Sequence, residues 1–341
     1  MSSSDPIDKP ADDGAGAFVR AFVVGIAASI ALLVALLLVV DPVGAGPGNA
    51  LCAQGAKTTV GTYAKPPLPG ILHPQTVILG TSRVQFGFDS AALAMLQVQG
   101  PTANLGVSAS LPSDWETLGA SVLRSATRPV IYLGVDFNSA YQPANAPLDP
   151  QPDNAVARAF ARLRGAWFSN QALQSLPDAL PLCAIGYHAD GTFARDVDVH
   201  SPMLGNLYNT AQMRAGIKWG YTPGIVDLRL AQIDRLLAGF RRAGARVVVF
   251  SAPYRPEAMQ AYRQEGLADD FTQFHRRLQQ IAQANQAAFV DFRSPRAIAE
   301  LDLAPCPQGG IGCHFYDLSH YRPELGRAMA PALRRAARSA Q

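Results

Sequence analysis

Residues 76–90 read TVILGTSRVQFGFDS, and the interpretation of the whole chain starts from this stretch. The aliphatic run of residues 76–79 is typical of a buried strand, and it stops at Gly80. Ser82 follows almost at once, and a capped helix is predicted over residues 90–98. The Ser82 hydroxyl is therefore expected at the carboxyl edge of a strand, where open α/β sheets hold their ligands.

Further apolar runs alternate with amphipathic segments along the chain. Besides the first strand, strands are predicted at residues 103–105, 129–135, 246–251 and 288–291. Besides the first helix, helices are predicted at residues 113–126, 226–243, 267–285 and 324–339. The strands are continuous apolar runs, as in parallel strands that are buried on both faces. The sequence thus predicts an α/β fold, a three-layer α/β/α sandwich with a five-stranded parallel sheet.

An uncharged apolar segment precedes this region. Residues 21–40 are long enough to cross a hydrocarbon core of about 30 Å, whereas a cleavable signal peptide has an apolar region of only about 7–15 residues. An uncleaved anchor is favoured, although small residues just after the run leave cleavage open. Lys9 and Arg20 precede the run, and no Lys or Arg follows it before Lys57. This predicts a single-pass inner-membrane protein with a cytoplasmic N-terminus and a periplasmic main domain.

The composition divides the chain into four parts. We expect a disordered cytoplasmic tail over residues 1–16, a transmembrane anchor over 17–41 and a linker packed on the domain over 42–75. The α/β domain follows over residues 76–338. Prolines and short irregular pieces interrupt the α/β pattern at residues 140–223, so an insertion over the sheet's carboxyl edge is predicted there.

The cysteines agree with an exported domain, because their number, four, is even. Glycines and prolines between Cys306 and Cys313 allow the chain to turn, which predicts a disulfide there and a second one between Cys52 and Cys183. A zinc site built on Cys306, Cys313 and His314 lacks the usual C-x2-4-C spacing, so no metal is predicted. The net charge of +3 is small and evenly spread, which gives no indication of nucleic-acid binding.

The C-terminal region supplies two residues that a serine nucleophile needs. A serine hydroxyl requires a base, and the base requires a partner that fixes its tautomer. Asp317 and His320 are three residues apart, so one turn can bring the carboxylate to the imidazole Nδ1. Ser82, His320 and Asp317 are therefore candidates for nucleophile, base and orienting group. The alternative is that Asp317 is an ordinary turn residue and His320 a surface histidine.

The order of these motifs resembles the SGNH (GDSL-like) hydrolase superfamily. That superfamily has a serine block after the first strand, a glycine block after the second, an asparagine-bearing block after the third and a D-x-x-H block near the C-terminus. Residues 80–83, 104–106, 134–138 and 317–320 occupy those places. The resemblance extends over residues 76–331, and it is nearest to the membrane-anchored branch that includes proteins of teichoic-acid D-alanylation and alginate O-acetylation.

The resemblance implies a serine esterase or O-acyltransferase that acts through an acyl-Ser82 intermediate. The substrate is expected to be a cell-envelope polysaccharide or a related polymer, and the expected partner is a membrane-bound O-acyltransferase. No metal or organic cofactor is implied. A protein of another class, a catalytically silent domain of this fold that binds glycan or scaffolds an export complex, is the alternative.

Two motifs depart from the superfamily pattern. The serine block reads G-T-S-R instead of G-D-S-L, and the third block lacks G-x-N-D. The expected backbone oxyanion donors are the N–H groups of Ser82 and Gly106. Asn138, and not Asp136, is predicted to face the site, because an amide N–H can donate to an oxyanion whereas an ionised carboxylate would repel it. Asp136 is expected to bond to backbone or solvated groups instead. Arg83 is expected either to steer an acidic polymer toward the serine or to form a surface ion pair.

Overall fold

The computed structural model describes residues 13–40, 55–56, 65–66, 68–141, 187–193, 213–214, 221, 224–307 and 309–339. Cys52 and Cys183, most of the predicted tail and linker, and most of the predicted insertion lie outside these ranges. The four-part division of the chain therefore remains a prediction.

The described helices and strands follow one another in this order: α1 (Asp13–Val40), β1 (Gly55–Ala56), α2 (Leu68–Leu72), β2 (Thr76–Leu79), α3 (Ser82–Gly87), α4 (Ser90–Leu96), β3 (Thr102–Asn104), α5 (Pro112–Ser125), β4 (Val130–Gly134), α6 (Phe137–Tyr141), β5 (Tyr187–His188), α7 (Ile225–Arg242), β6 (Arg246–Ser251), α8 (Pro256–Gln264), α9 (Ala268–Ala284), β7 (Ala288–Asp291), α10 (Pro295–Ala299) and α11 (Pro323–Ser339). A 3-10 turn over Gly312–His314 precedes α11.

Five of the strands form a parallel sheet in the order β3-β2-β4-β6-β7. In this order the chain moves from β2 to one neighbour, β3, and then crosses to the other, β4. A doubly wound sheet opens a crevice at such a switch point, outside the carboxyl ends of the two strands. Ser82 lies three residues after the end of β2, so the fold places it at this crevice.

Apolar side chains project from both faces of the sheet, and helices pack against each face. One core contains Val77, Leu133 and Val249 of the strands, packed with residues of α5, α7 and α9. The other contains Ile78, Tyr132 and other strand residues, packed with residues of α4 and α11. The predicted α/β class and five-stranded parallel sheet are thus confirmed, with one helical layer on each face.

The start of helix α5 and the presence of helix α3 differ from the prediction. Helix α5 begins at Pro112, one residue before the predicted start, and the Asp114 carboxylate accepts a hydrogen bond from the Leu111 N–H at 2.8 Å. A short helix, α3, begins at Ser82 itself, where only a turn was predicted. The serine is therefore held at the start of a helix and not in an open loop.

Helix α1 is apolar and isolated from the cores. Its segment Gly16–Leu36 has a mean hydropathy of 2.4 over 21 residues, enough to cross a membrane by length and composition. The described side chains of this segment are exposed or half-buried. Such a surface fits a membrane anchor or a signal sequence.

A buried lysine joins the chain that follows α1 to the carboxyl end of β3. The Lys65 ammonium donates to the Asn104 carbonyl at 2.8 Å and to the Gly191 carbonyl, and it lies 4.5 Å from the Tyr187 ring centre. Nearby, Gly55 of β1 pairs antiparallel with His188 of β5. Complete burial lowers the pKa of Lys65 to about 7, although Asp190 favours the charged form.

This lowered pKa makes the stability of the domain depend on pH. Between pH about 7 and 10.5, the unfolded chain holds a proton on Lys65 that the folded chain has lost, so the free energy of unfolding rises with pH. The Lys65→Met variant is expected to lose this slope, which is at most about 1.4 kcal/mol per pH unit. Denaturant titrations of both proteins from pH 7 to 10 measure it. Equal slopes would contradict the assignment.

Candidate active site

The turn that carries Ser82 is fixed by its own neighbours. Thr81 is the N-cap of α3, and its side-chain oxygen accepts a hydrogen bond from the Arg83 N–H at 3.3 Å. The Thr81 carbonyl accepts from the backbone N–H groups of Val84 and Gln85 at 3.0 Å each. Ser82 is therefore the first residue of a helical turn whose conformation is fixed by local hydrogen bonds, independently of His320.

Three glycines allow α3 to lie directly on the ends of the strands. A Cβ atom added at Gly80, Gly106 or Gly134 would lie 2.4, 2.8 or 2.6 Å from a methyl carbon of Val84. Real Cβ atoms do not approach other carbons so closely, so each position requires glycine while Val84 is present. The glycines of three of the quoted motif blocks thus share one steric role, which is to seat the serine turn.

Ser82, His320 and Asp317 meet at this edge of the sheet. The Ser82 Oγ lies 2.8 Å from the His320 Nε2, and the His320 Nδ1 lies 2.7 Å from the Asp317 Oδ2. Because a carboxylate only accepts, Nδ1 carries the proton and Nε2 is left to accept from the serine hydroxyl. His320 is 7% exposed, so the alternative of a surface histidine is wrong.

Hydrogen bonds keep Asp317 ionised. Burial opposes ionisation, but the His320 ring and the backbone N–H groups of His320 and Ser319 donate to the carboxylate, and together they lower the pKa of Asp317. Both N–H groups lie 2.7 Å from Oδ1. The second oxygen is thus left to orient the imidazole.

The loop before this Asp–His turn is closed covalently. Cys306 and Cys313 form the predicted disulfide, so their sulfur atoms are not available to bind zinc. The chain then folds back on itself: the Tyr316 N–H donates to the His320 carbonyl and the Arg322 N–H donates to that of His314, each at 2.8 Å. These contacts fix the conformation of the segment that carries Asp317 and His320.

Both expectations for Arg83 are wrong. Arg83 is 2% exposed, and its guanidinium donates to the Asp136 carboxylate at 2.6 Å and to the Pro253 carbonyl. Asp136 also accepts from the Thr81 hydroxyl at 2.8 Å, so the expectation that it bonds to backbone or solvated groups is wrong as well. A buried charge requires such a partner, and the ion pair gives each group an opposite charge, while the buried Arg83 Nε makes no hydrogen bond. Because it is buried, the Arg83 guanidinium is not accessible to a polymer in the solvent.

The structure places the three predicted oxyanion donors differently relative to Ser82. The Gly106 N–H donates to the Asn104 Oδ1 at 2.9 Å, so it does not point at the serine as expected. The reason is that Asn104 also donates to two carbonyls of the α3 region, which fixes its side chain against the glycine turn. The Asn138 Nδ2 lies 3.4 Å from the Ser319 Oγ, next to His320. Ser82 starts α3, and the first N–H groups of a helix have no partner within it.

Two neighbours of the site were not found by sequence reasoning. The Tyr262 hydroxyl donates to the Asn138 Oδ1, which orients that amide and leaves its nitrogen toward Ser319. The Phe86 ring lies edge-to-face with the His320 ring at 5.6 Å between centres. The signal for Phe86 was its spacing, because residues four apart lie on one face of a helix and Ser82 is four residues before it.

No protein-family model and no curated protein matches the chain. Among solved structures, a catalytic mutant of an acetylxylan esterase from Geobacillus stearothermophilus is 12% identical over 77% of this chain and 93% of that chain, with a TM-score of 0.40. A GDSL-like lipase from Bacteroides thetaiotaomicron is 11% identical over 79% and 90%, with a TM-score of 0.40. An extracellular lipase from Streptomyces rimosus is 16% identical over 77% and 99%, with a TM-score of 0.37. These structural neighbours are esterases and lipases.

Proposed function

We propose that the chain is a serine esterase or O-acyltransferase of the SGNH type. The observation that carries the proposal is the unbroken line of hydrogen bonds from Ser82 Oγ through His320 to Asp317, with distances of 2.8 and 2.7 Å. The order of the sequence motifs supports the same assignment. No other triad of serine, histidine and carboxylate is needed to account for the chemistry.

In the proposed reaction Ser82 Oγ attacks the carbonyl carbon of an ester while His320 Nε2 takes its proton. Asp317 stabilises the imidazolium that forms. The tetrahedral intermediate collapses to an acyl-serine, and the departing alcohol leaves with the proton from Nε2. Water or a sugar hydroxyl then attacks the acyl group in the reverse sequence, with His320 again as the base. The proposed oxyanion donors are the Ser82 N–H and the Asn138 amide.

A serine-directed fluorophosphonate probe tests the nucleophile. The wild-type chain is expected to be labelled, because the probe reacts with a hydroxyl that a base activates. The Ser82→Ala variant is expected to remain unlabelled at equal folding, as judged by its circular dichroism spectrum. Equal labelling of both proteins would place the reactive serine elsewhere.

A catalytically silent domain that binds glycan is the second candidate. The engaged Gly106 N–H and the absence of G-x-N-D from the third block favour it, because a missing oxyanion donor costs about 2.7–4 kcal/mol of transition-state stabilisation. Hydrolysis of p-nitrophenyl acetate separates the two candidates. A Ser82-dependent rate supports the enzyme, and its absence together with retained glycan binding supports the binder.

The role of Asn138 can be measured in the same assay. The Asn138→Ala variant is expected to lower kcat by about 10²–10³-fold, the usual loss for one oxyanion donor. The Tyr262→Phe variant is its control, since it keeps the amide and removes only the hydroxyl that orients it. We expect a smaller loss in that variant. An unchanged kcat in Asn138→Ala would exclude the amide as a donor.

We propose for the location of the protein that α1 anchors the chain in the inner membrane, with the α/β domain on the periplasmic side. The proposed substrate is an acylated cell-envelope polysaccharide, and the proposed partner is a membrane-bound O-acyltransferase. Lys9 and Arg20 on the N-terminal side of the apolar run and the disulfide support this orientation. An alkaline phosphatase fused to the C-terminus is expected to be active. Activity only from a cytoplasmic reporter at that position would overturn the orientation.

A further inference from the structure

A buried ion pair lies directly beneath the serine turn. The Asp136 carboxylate receives the Thr81 hydroxyl on Oδ2 at 2.8 Å and the Arg83 guanidinium on Oδ1 at 2.6 Å. Thr81 and Arg83 are the two chain neighbours of Ser82, so one carboxylate from the end of β4 holds both sides of the serine. Thr81 also accepts from the Arg83 N–H, which closes the ring of contacts around Ser82.

The same guanidinium reaches the neighbour of the base. The Arg83 Cζ lies 4.2 Å from the Tyr254 ring centre and 5.3 Å from that of Tyr321, the residue that follows His320. Tyr321 is fully buried, and a Cβ added at Gly87 of α3 would lie 1.9 Å from its ring. The cation is thus packed between the serine turn and the segment that carries the histidine.

We infer that Asp136, Arg83 and Thr81 are positioning residues that keep the Ser82 hydroxyl within reach of His320. The ion pair is 2% and 4% exposed on its two sides, so solvent neither screens it nor replaces it. Because both side chains are buried, neither is open to a substrate in the solvent. The inference rests on the proposed function, because positioning has a kinetic meaning only where Ser82 reacts.

The matched variants Thr81→Val and Thr81→Ser test it in the full-length chain. Valine keeps the shape of threonine but loses the hydroxyl, and serine keeps the hydroxyl. With p-nitrophenyl acetate as the probe, Thr81→Val is expected to lower kcat by about 10²-fold, the scale for a misplaced reacting group, while KM changes little. Thr81→Ser is expected to stay close to the wild type. The Leu278→Ala variant, which removes core packing of α9, controls for a general loss of stability.

A Thr81→Val kcat within twofold of the wild type overturns the inference, as does an equal loss of kcat in Thr81→Ser or in Leu278→Ala. A crystal structure of Thr81→Val tests it without turnover. A Ser82 Oγ to His320 Nε2 distance beyond hydrogen-bond reach supports the inference, and an unchanged distance overturns it. If the wild type has no esterase activity but the variant shows the longer distance, the proposed function fails and the positioning contact stands.

Discussion

Replacing Ser82 or His320 by alanine is expected to lower kcat by about 10⁶-fold, the loss found when a nucleophile or its base is removed from a serine triad. The reason is that Ser82 Oγ has His320 Nε2 as its base at 2.8 Å, and each residue is ineffective without the other. KM is expected to change little, since neither substitution removes a group that binds the ground state alone. Steady-state hydrolysis of p-nitrophenyl acetate measures both constants.

The double variant Ser82→Ala with His320→Ala is the control for this prediction. Residues that act as a unit are not additive, so the double loss is expected to match either single loss. Asp317→Asn is expected to be milder, about 10⁴-fold, because the imidazole remains but its tautomer is no longer fixed. Losses that multiply in the double variant would mean that the two residues act independently.

The second large effect concerns stability. The Arg83→Met variant is expected to lower the free energy of unfolding by about 3–5 kcal/mol, because it leaves the Asp136 carboxylate buried without its cation. Combining it with Asp136→Asn is expected to restore most of this loss, since the remaining amide carries no charge. Thermal or denaturant unfolding of the wild type, Arg83→Met, Asp136→Asn and the double variant measures the coupling between the two residues.

A surface ion pair in the same chain provides the comparison. Arg296 and Glu300 are 3.1 Å apart with side chains 90% and 66% exposed. Such pairs contribute little, so Arg296→Met is expected to leave the unfolding midpoint unchanged. If Arg83→Met were as harmless as Arg296→Met, the buried pair would not stabilise the fold in the way described.

The meeting of Ser82 and His320 could be predicted because the order of the motifs and the fold class together place both residues at one edge of the sheet. In a parallel sheet every strand ends at the same edge, so Ser82 after the first sheet strand and His320 near the C-terminus converge although they are far apart in sequence. Strands β6 and β7 were predicted at their observed bounds for a related reason. Continuous apolar runs between amphipathic helices have few other interpretations.

Arg83 was misjudged because its burial depends on a partner that is distant in sequence. A charged residue beside a catalytic serine is ordinarily at the surface, and only the fold shows that Asp136 meets it. The Gly106 N–H was misjudged for a similar reason, since its partner is a side chain, Asn104, whose orientation is set by carbonyls of another element. Helix α8 is short and only partly apolar, so its pattern was too weak to predict.

The packing of Val84 against three glycines connects positions that are far apart in the sequence. Gly80, Gly106 and Gly134 are separated along the chain, yet each is restricted by the same valine side chain. A Cβ at Gly106 would also lie 2.6 Å from the Gln85 backbone nitrogen and one at Gly80 would lie 2.9 Å from the Gly134 carbonyl oxygen, so among the three only Gly134 is restricted by side chains alone. In homologous proteins, alanine at position 134 should therefore coincide with a smaller residue at position 84, whereas glycine should persist at positions 80 and 106 whatever residue occupies position 84.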